Sequence, residues 1–385
     1  MEVTLNLSSL IAAMGVFSVL PVMILLWTAP WGDIRANRCL CSLLFFTSLL
    51  ALSHIAQKEL DVSVFLRFAL YPVQMLVGPA LYFYIRTLTQ PNFSWRATHL
   101  WHLIPMGVVA VLWPLQLKYE LFEFLNLSCP DLQECSQIYT DRFIHRSLTW
   151  ISLGVYSLVT LRILKQHRLN VRDHFSELGL VSLSWLKWVT LALLVLVITT
   201  IATEILYAQG SFSYKTFGGY QVASFPLLIY LIMGVFGLRQ VKVFSSQDSV
   251  TVQNTPSSVD TGKYQTSTLT PELAEQLWLH LETYMHKEKP HLTHGLKISE
   301  LAKQLNVQVN HLSETINGHS AQSFYDYINR YRVEEAADLL LAEKHQHLSI
   351  NDISYRAGFN SNSTFFSHFK KRFELTPRQF RNREI

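Results

Sequence analysis

Side chains that can read the edges of DNA bases recur at helical spacing in two stretches near the C-terminal end of the chain. Asparagine and serine can hydrogen-bond base edges, and glutamate can accept a hydrogen bond from cytosine. On the first stretch, the side turned away from the apolar residues carries Asn310, His311, Ser313, Glu314 and Asn317. On the second stretch, that side carries Asn362, Ser363, Thr364, Ser367 and Lys371. An ordinary solvated helix face is the alternative, and spacing alone leaves both interpretations open.

Basic residues around these stretches are candidates for contact with DNA phosphates, which fix the position of a protein on the duplex. They are Arg330, Arg332, Lys370, Arg372, Arg378 and Arg381. Internal pairing with acidic groups is the alternative for each of them. The formal net charge of +4 neither favours nor excludes nucleic acid.

Two copies of a helix-turn-helix pattern would position the polar side chains. In the first copy, one helical face is formed by Ile298, Leu301, Ala302, Leu305, Val309, Leu312 and Ile316. The second copy repeats this face with Ile350, Ile353, Ala357, Phe365 and Phe369. Asn306 and Gly358 fall at the two turns, where a left-handed backbone is needed and these residue types tolerate it. The second helix of such a pattern enters the major groove.

Other segments complete the C-terminal part. The pattern predicts a long helix over residues 323–344, between the two copies. Thr270 and Pro271 form an N-cap and a first helical position, and the helix they begin is expected to run to about Met285. Residues 244–270 are rich in Ser, Thr, Gln and Val without a helical period, which predicts a flexible linker.

The first half of the chain has a different composition. Apolar residues make up 49% of the whole sequence and charged residues only 16%, and the charges are sparse before about residue 243. A spanning helix needs about 20 mostly apolar residues. Seven such stretches are predicted, at residues 8–28, 38–56, 64–86, 99–117, 143–164, 182–207 and 219–238. Buried helices of a large soluble core are the alternative.

Lysine and arginine in the loops predict the orientation of these spans, because cytoplasmic loops carry more of them. The loops after the odd-numbered spans, with their flanks, hold Arg35, Arg38, Arg86, Arg96, Lys165, Arg168, Arg172, Arg239 and Lys242. The other loops hold only Lys58, Lys118, Arg142 and Lys215. This predicts a bacterial inner-membrane protein with its N-terminus outside and its C-terminal part in the cytoplasm. No basic residue precedes the first span, so it is expected to be retained.

Polar residues within the spans are candidates for a signal-binding site, because they are costly in lipid. Those in the predicted outer half are His54, Arg67, Gln74, Glu204 and Gln221. Snorkelling or helix–helix hydrogen bonds are the alternative. Cys129 and Cys135 share the longest outer loop, where a disulfide is plausible in an oxidising periplasm. His99 and His102 lack a nearby carboxylate or thiol, so no metal site is predicted.

The C-terminal part resembles the AraC/XylS type of helix-turn-helix domain over residues 271–385. The residues that carry the resemblance are Ala357, Gly358, Phe359, Phe366, Phe369, Lys370, Thr376, Pro377, Phe380 and Arg381, with Leu312, Arg332, Ala336 and Leu340 upstream. Glu374 stands where that family commonly has glycine. The resemblance implies transcriptional regulation by two units that read successive major grooves. In organisation, the membrane region looks like the seven-span sensor type of that family.

The fold expected is all-α, with a seven-span membrane bundle at 1–243, a linker at 244–270 and a double helix-turn-helix domain at 271–385. The function expected is a membrane-bound, one-component transcription regulator; the alternative is a seven-span receptor whose tail binds a protein. The expected partners are double-stranded DNA, the lipid bilayer, an unidentified small-molecule or envelope signal and, if the protein dimerises, a second copy. No phosphate loop, nucleophile elbow or metal cluster is recognisable, so neither an enzyme nor a cofactor is predicted.

Overall fold

The computed structural model describes residues 7–28, 33–58, 72–90, 93–111, 132–208, 232–233, 235–237, 269–342 and 347–383. Within these ranges the regular elements are helices, and one isolated β-bridge joins Phe175 to Lys297. The all-α prediction is therefore confirmed for the described residues. The chain forms two compact units, one of residues 1–165 and 183–243, the other of residues 166–182 and 244–385.

Long helices build the first unit. They are α1 (Leu7–Thr28), α2 (Ile34–Lys58), α3 (Val77–Thr89), α4 (Leu132–Arg172) and α5 (Ser184–Ala208). The boundary between the two units falls within α4: its residues up to Lys165 belong to the first unit, and its residues from Gln166 belong to the second. Helix α1 packs on α2, and α2 packs on α3. Their shared core is fully buried at Leu40, Leu44, Leu81 and Ile85.

Two helices among the described residues are long and apolar enough to cross a membrane. They are Ser147–Arg172 within α4 and Ser184–Thr203 within α5. Shorter apolar helices cover Ala12–Thr28 and Ala97–Val111. Most of the seventh predicted span and the start of the third lie outside the described residues. The seven-span bundle is thus not confirmed, although helices occupy the described parts of the predicted stretches.

Seven α-helices of the described residues lie wholly in the second unit. They are α6 (Pro271–Glu288), α7 (Ile298–Gln304), α8 (Val309–Ser320), α9 (Phe324–Leu341), α10 (Ile350–Arg356), α11 (Asn362–Phe373) and α12 (Pro377–Arg381), of which α6 and α9 are the longest. The helix predicted to begin at Pro271 is confirmed, and it runs to Glu288. The long helix ends earlier than its apolar pattern predicted, because Ala342 has an extended backbone. The predicted linker lies outside the described residues except for its last two positions.

Helix α9 contributes to two separate hydrophobic cores. Its first half packs with α6, α7 and α8 through Phe324, Tyr327 and Ile328. Its second half packs with α10, α11 and α12 through Val333, Ala336 and Leu340. The second unit therefore consists of two helix-turn-helix halves on one long helix, as the repeated pattern predicted.

Hydroxyl side chains set where several of these helices begin. The Oγ of Ser323 accepts a hydrogen bond from the backbone N–H of Asp326 at 3.2 Å, and Ser349 does the same for Asp352 at 3.1 Å. Such caps satisfy N–H groups that have no partner within the helix. The Thr270 hydroxyl accepts from the N–H of Leu273 at 3.3 Å, which confirms the predicted cap of α6.

Candidate nucleic-acid interface

Helix α11 presents a more open polar face than α8, the corresponding helix of the first half. Phe365 and Phe369 are fully buried on its inner side, where the sequence placed them. The predicted DNA-binding residues that lie exposed on the other side are Asn362, Ser363, Ser367, Lys370 and Lys371. We call these five residues the α11 polar face. The N-terminal residues of a recognition helix contact base edges. Asn362 and Ser363, at the start of α11, are therefore the residues of this face best placed to contact bases.

Two residues of α11 depart from the sequence-based assignment. Thr364, predicted on the polar side, is half-buried. Phe366, one of the residues that carry the family resemblance, is 39% exposed beside the α11 polar face. An exposed apolar ring there can contact the methyl group of thymine. Its apolar character hid it from a search for polar residues.

Helix α8, the corresponding helix of the first half, is more sheltered. Asn310, His311, Glu314 and Asn317 are half-exposed. The placement of Ser313 on the open side was wrong, because only 7% of it is exposed. Helix α6 packs on α8, and the ring of Trp278 stacks on His319 with centroids 5.4 Å apart. The periodicity of α8 alone could not reveal this additional covering helix.

The turns of both halves use left-handed backbone, as predicted. Asn306 has φ of 54° and Gly358 has φ of 91°. A Cβ at Gly358 would lie 2.6 Å from the backbone oxygen of His291, so only glycine fits there. Glu374, where the related family commonly has glycine, also adopts a left-handed conformation, with φ of 59° at the end of α11. The departure is therefore accommodated at a helix end.

Several basic residues proposed for phosphate contact make internal contacts instead. Arg332 is fully buried on α9, so it is unsuited to contact DNA from this position. Its Nε donates to the oxygen of His291 at 2.8 Å, and burial lowers the pKa of Arg332 to about 10. Arg372 pairs with Glu334 at 3.3 Å, and Arg330 lies over the ring of Tyr331 at 4.7 Å. Lys370 and Lys371, by contrast, are exposed.

Comparison with known proteins supports the same interpretation. A helix-turn-helix domain family matches residues 301–383. The probable transcription factor PqrA of Proteus vulgaris is 32% identical over 101 residues, which are 26% of this chain and 76% of that protein. The chain belongs to the AraC-type helix-turn-helix family. The matched residues form the helices α7 to α12 described above.

Other relatives of the AraC-type domain match over similar lengths. The xylose operon regulatory protein of Escherichia coli K12 is 28% identical over 98 residues, 26% of this chain and 24% of that protein. The transcriptional regulatory protein HptR of Staphylococcus aureus NCTC 8325 is 28% identical over 83 residues, 22% of this chain and 31% of that protein. The chain thus spans about a quarter of the length of the xylose regulator.

Most of the predicted signal-binding residues lie where side chains are not described. Among those proposed, Gln74 is described, and it is half-buried in a short helix at Pro72–Leu76. Arg67, Gln221 and Cys129 lie outside the described residues. The side chains of His54, Glu204 and Cys135 are likewise not described. The signal-binding site and the disulfide therefore stay predictions.

His99 and His102 take part in an aromatic cluster of the first unit. The Nδ1 of His102 lies 2.7 Å from the hydroxyl of Tyr156, and the ring of His99 stacks on Phe93 at 5.2 Å. No group of three potential metal ligands occurs among the described residues. The contacts of both histidines favour a packing role in this part of the chain.

Proposed function

We propose that this AraC-type regulator is held in the bacterial inner membrane by its N-terminal part and reads successive major grooves with α8 and α11. The observation that carries DNA reading is the α11 polar face, which exposes hydrogen-bonding side chains and two lysines on a helix-turn-helix scaffold. Base-edge contacts supply specificity, and the lysines supply phosphate contacts that fix register. A signal in or outside the membrane changes how this face is presented to DNA.

Exposed apolar side chains support the membrane part of the proposal. Phe17 of α1 is 71% exposed and Trp188 of α5 is 68% exposed. Only 28% of the apolar window in α4 and 39% of that in α5 is buried. A core helix of a soluble protein would be mostly buried, whereas a lipid-facing helix leaves such side chains outward. The loop distribution of lysine and arginine supports a cytoplasmic C-terminal part.

Membrane fractionation tests the anchoring. We expect the full-length protein to stay in the membrane pellet after alkaline extraction and to enter solution only with detergent. In a variant whose four native cysteines are replaced by serine, a single cysteine introduced at exposed Lys370 should react with an impermeant maleimide only after the inner membrane is opened. Recovery of the protein in the soluble fraction, or labelling from outside, would contradict the proposed location.

Genome-wide crosslinking of the tagged full-length protein tests DNA reading in the cell. We expect discrete enriched sites that the protein also binds in vitro, with occupancy lost when Asn362 and Ser363 are both replaced by alanine. If no site is enriched and the tail instead captures a protein, the receptor alternative would replace this proposal.

A further inference from the structure

The loop that follows α4 belongs to the same compact unit as the AraC-type domain, and residues 173–178 of that loop pair with it. The N–H of Ser176 donates to the oxygen of Leu296 at 3.1 Å, and the N–H of Ile298 donates to the oxygen of His174 at 3.0 Å. These two bonds flank the antiparallel bridge between Phe175 and Lys297. We call residues 173–178 the docking segment.

The carboxylate of Glu177 in the docking segment reaches both helix-turn-helix halves. One oxygen accepts from the N–H of Gly295, just before α7, at 3.0 Å. The other accepts from the side-chain amide of Asn360, just before α11, at 2.8 Å. The guanidinium of Arg332 lies 3.6 Å away. One carboxylate therefore accepts hydrogen bonds from the first and second halves and forms an ion pair with α9.

Neighbouring contacts show that the docking segment is part of the packed structure. The buried amide of Asn329 donates to the oxygen of Ser176 at 3.1 Å, and the guanidinium of Arg332 donates to the hydroxyl of Ser176 at 3.2 Å. Arg172, at the end of α4, pairs with Asp326 at 2.6 Å. A buried amide or guanidinium without a hydrogen-bond acceptor destabilises the folded state. The docking segment therefore stabilises the domain by supplying acceptors to Asn329 and Arg332.

Two of the donors around Glu177, the N–H of Gly295 and the side-chain amide of Asn360, are of kinds that also hold a DNA phosphate. Phosphate oxygens accept hydrogen bonds from backbone N–H groups and from amide side chains. Asn360 is exposed and lies two residues before Asn362, at the end of α11 that a recognition helix directs towards DNA. A carboxylate seated there occupies an amide donor and adds a negative charge, which repels the DNA backbone.

We propose that the docking segment is an autoinhibitory element, in which Glu177 occupies the side-chain amide of Asn360 at the start of α11 and competes with DNA for it. The segment follows α4 directly and is joined to α5 by residues 179–183. Movement of either helix therefore changes how readily the segment docks. The inference rests on DNA binding by α11, and it does not require the membrane location.

The test uses full-length protein in detergent, with a random-sequence duplex as the DNA probe. Glu177→Ala removes the carboxylate. Ser176→Pro removes the N–H that donates to Leu296 and the hydroxyl that accepts from Arg332, without changing charge. Glu288→Ala is the matched control, because Glu288 pairs only with exposed Lys287 among the described contacts, at 3.7 Å. Hydrogen exchange at residues 295–298 reports docking, and exchange within α9 reports whether the domain stays folded.

We expect both docking variants to lose protection at residues 295–298, keep it in α9, and bind the duplex roughly three- to tenfold more tightly. Glu288→Ala should match the natural protein in both measurements. Unchanged protection at residues 295–298 in Glu177→Ala would overturn the docking role. Lost protection with equal or weaker duplex binding would overturn the competition, as would absence of duplex binding in every variant. Absence of duplex binding in every variant is a failure of DNA binding itself. The exchange measurement does not depend on DNA, so it still reports whether the segment docks.

Discussion

The two helix-turn-helix halves share their spacing but differ in how much of each recognition helix is open. Helix α8 is packed against α6, with Trp278 stacked on His319, and its Ser313 and Thr315 are buried. Among the described residues helix α11 has no comparable cover on its polar face, and its last turn carries Lys370, Lys371 and Arg372. The same local pattern thus yields one sheltered helix and one open, basic helix. We infer that the second half makes the larger electrostatic contribution to DNA binding.

The two recognition helices also bury different types of side chain. Helix α8 directs the aliphatic Leu312 and Ile316 into the core of the first half. Helix α11 directs rings into the core of the second half, with Phe369 lying 5.4 Å from Phe365 and 5.3 Å from Phe380 between centroids. Both cores are rich in aromatic residues, so the contrast lies in the recognition helices and not in the cores as a whole.

Among the changes that test this comparison, truncating the central side chain of each core should lower the stability of the changed half the most. Phe365→Ala should destabilise the second half by about 3–5 kcal/mol, and Leu312→Ala the first by about 2–5 kcal/mol, because each leaves a cavity at a fully buried site. Hydrogen exchange of the full-length protein should show lost protection in the half that was changed. Equal loss in both halves would mean that the two cores do not behave separately.

The two turns provide the next contrast. Gly358→Ala places a Cβ near the backbone of His291 and on a left-handed residue, where strain alone costs about 1–3 kcal/mol. We expect a clear fall in the protection of α10 and α11. The control is Asn306→Gly, which should change the first half by less than about 1 kcal/mol, since glycine also adopts this conformation. A similar loss of hydrogen-exchange protection in both variants would contradict the expected difference between the two turns.

Base reading should depend more on the open helix. Replacing Asn362 and Ser363 by alanine should weaken binding to a site recovered by crosslinking by about 1–3 kcal/mol, with less effect on random DNA. The matched change in the first half, at Asn310 and Asn317, should cost less because those residues are half-exposed. Binding measured by fluorescence anisotropy on both duplexes checks this. Equal losses on specific and random DNA would argue against base reading by α11.

Charge removal should give the smallest effect, and one that depends on salt. Replacing Lys370 and Lys371 by alanine should lower the salt slope of duplex binding by roughly 2, because each phosphate contact contributes about 0.9. The control is Lys287→Ala. The Lys287 side chain is exposed near the end of α6, so its removal should leave the salt slope unchanged. An unchanged slope in the double variant would place the phosphate contacts elsewhere.

Local patterns in the sequence predicted much of the second unit. The apolar spacing of Phe365 and Phe369, the Thr270 cap and both left-handed turns were confirmed, because each depends on residues close in the chain. Ser313, Thr364 and Arg332 were misassigned or left open. Their surroundings come from α6, α9 and the docking segment, which are distant in sequence, so helical periodicity carried no information about them.

The sequence by itself determined the helices, their turns and the polar composition of the recognition helices, since backbone preferences and apolar spacing act within a few residues. Only the tertiary structure decided that α6 shelters α8 while α11 stays open. It also decided that Glu177 meets Gly295, Asn360 and Arg332, because those groups lie more than a hundred residues further along the chain and are brought together by packing around α9.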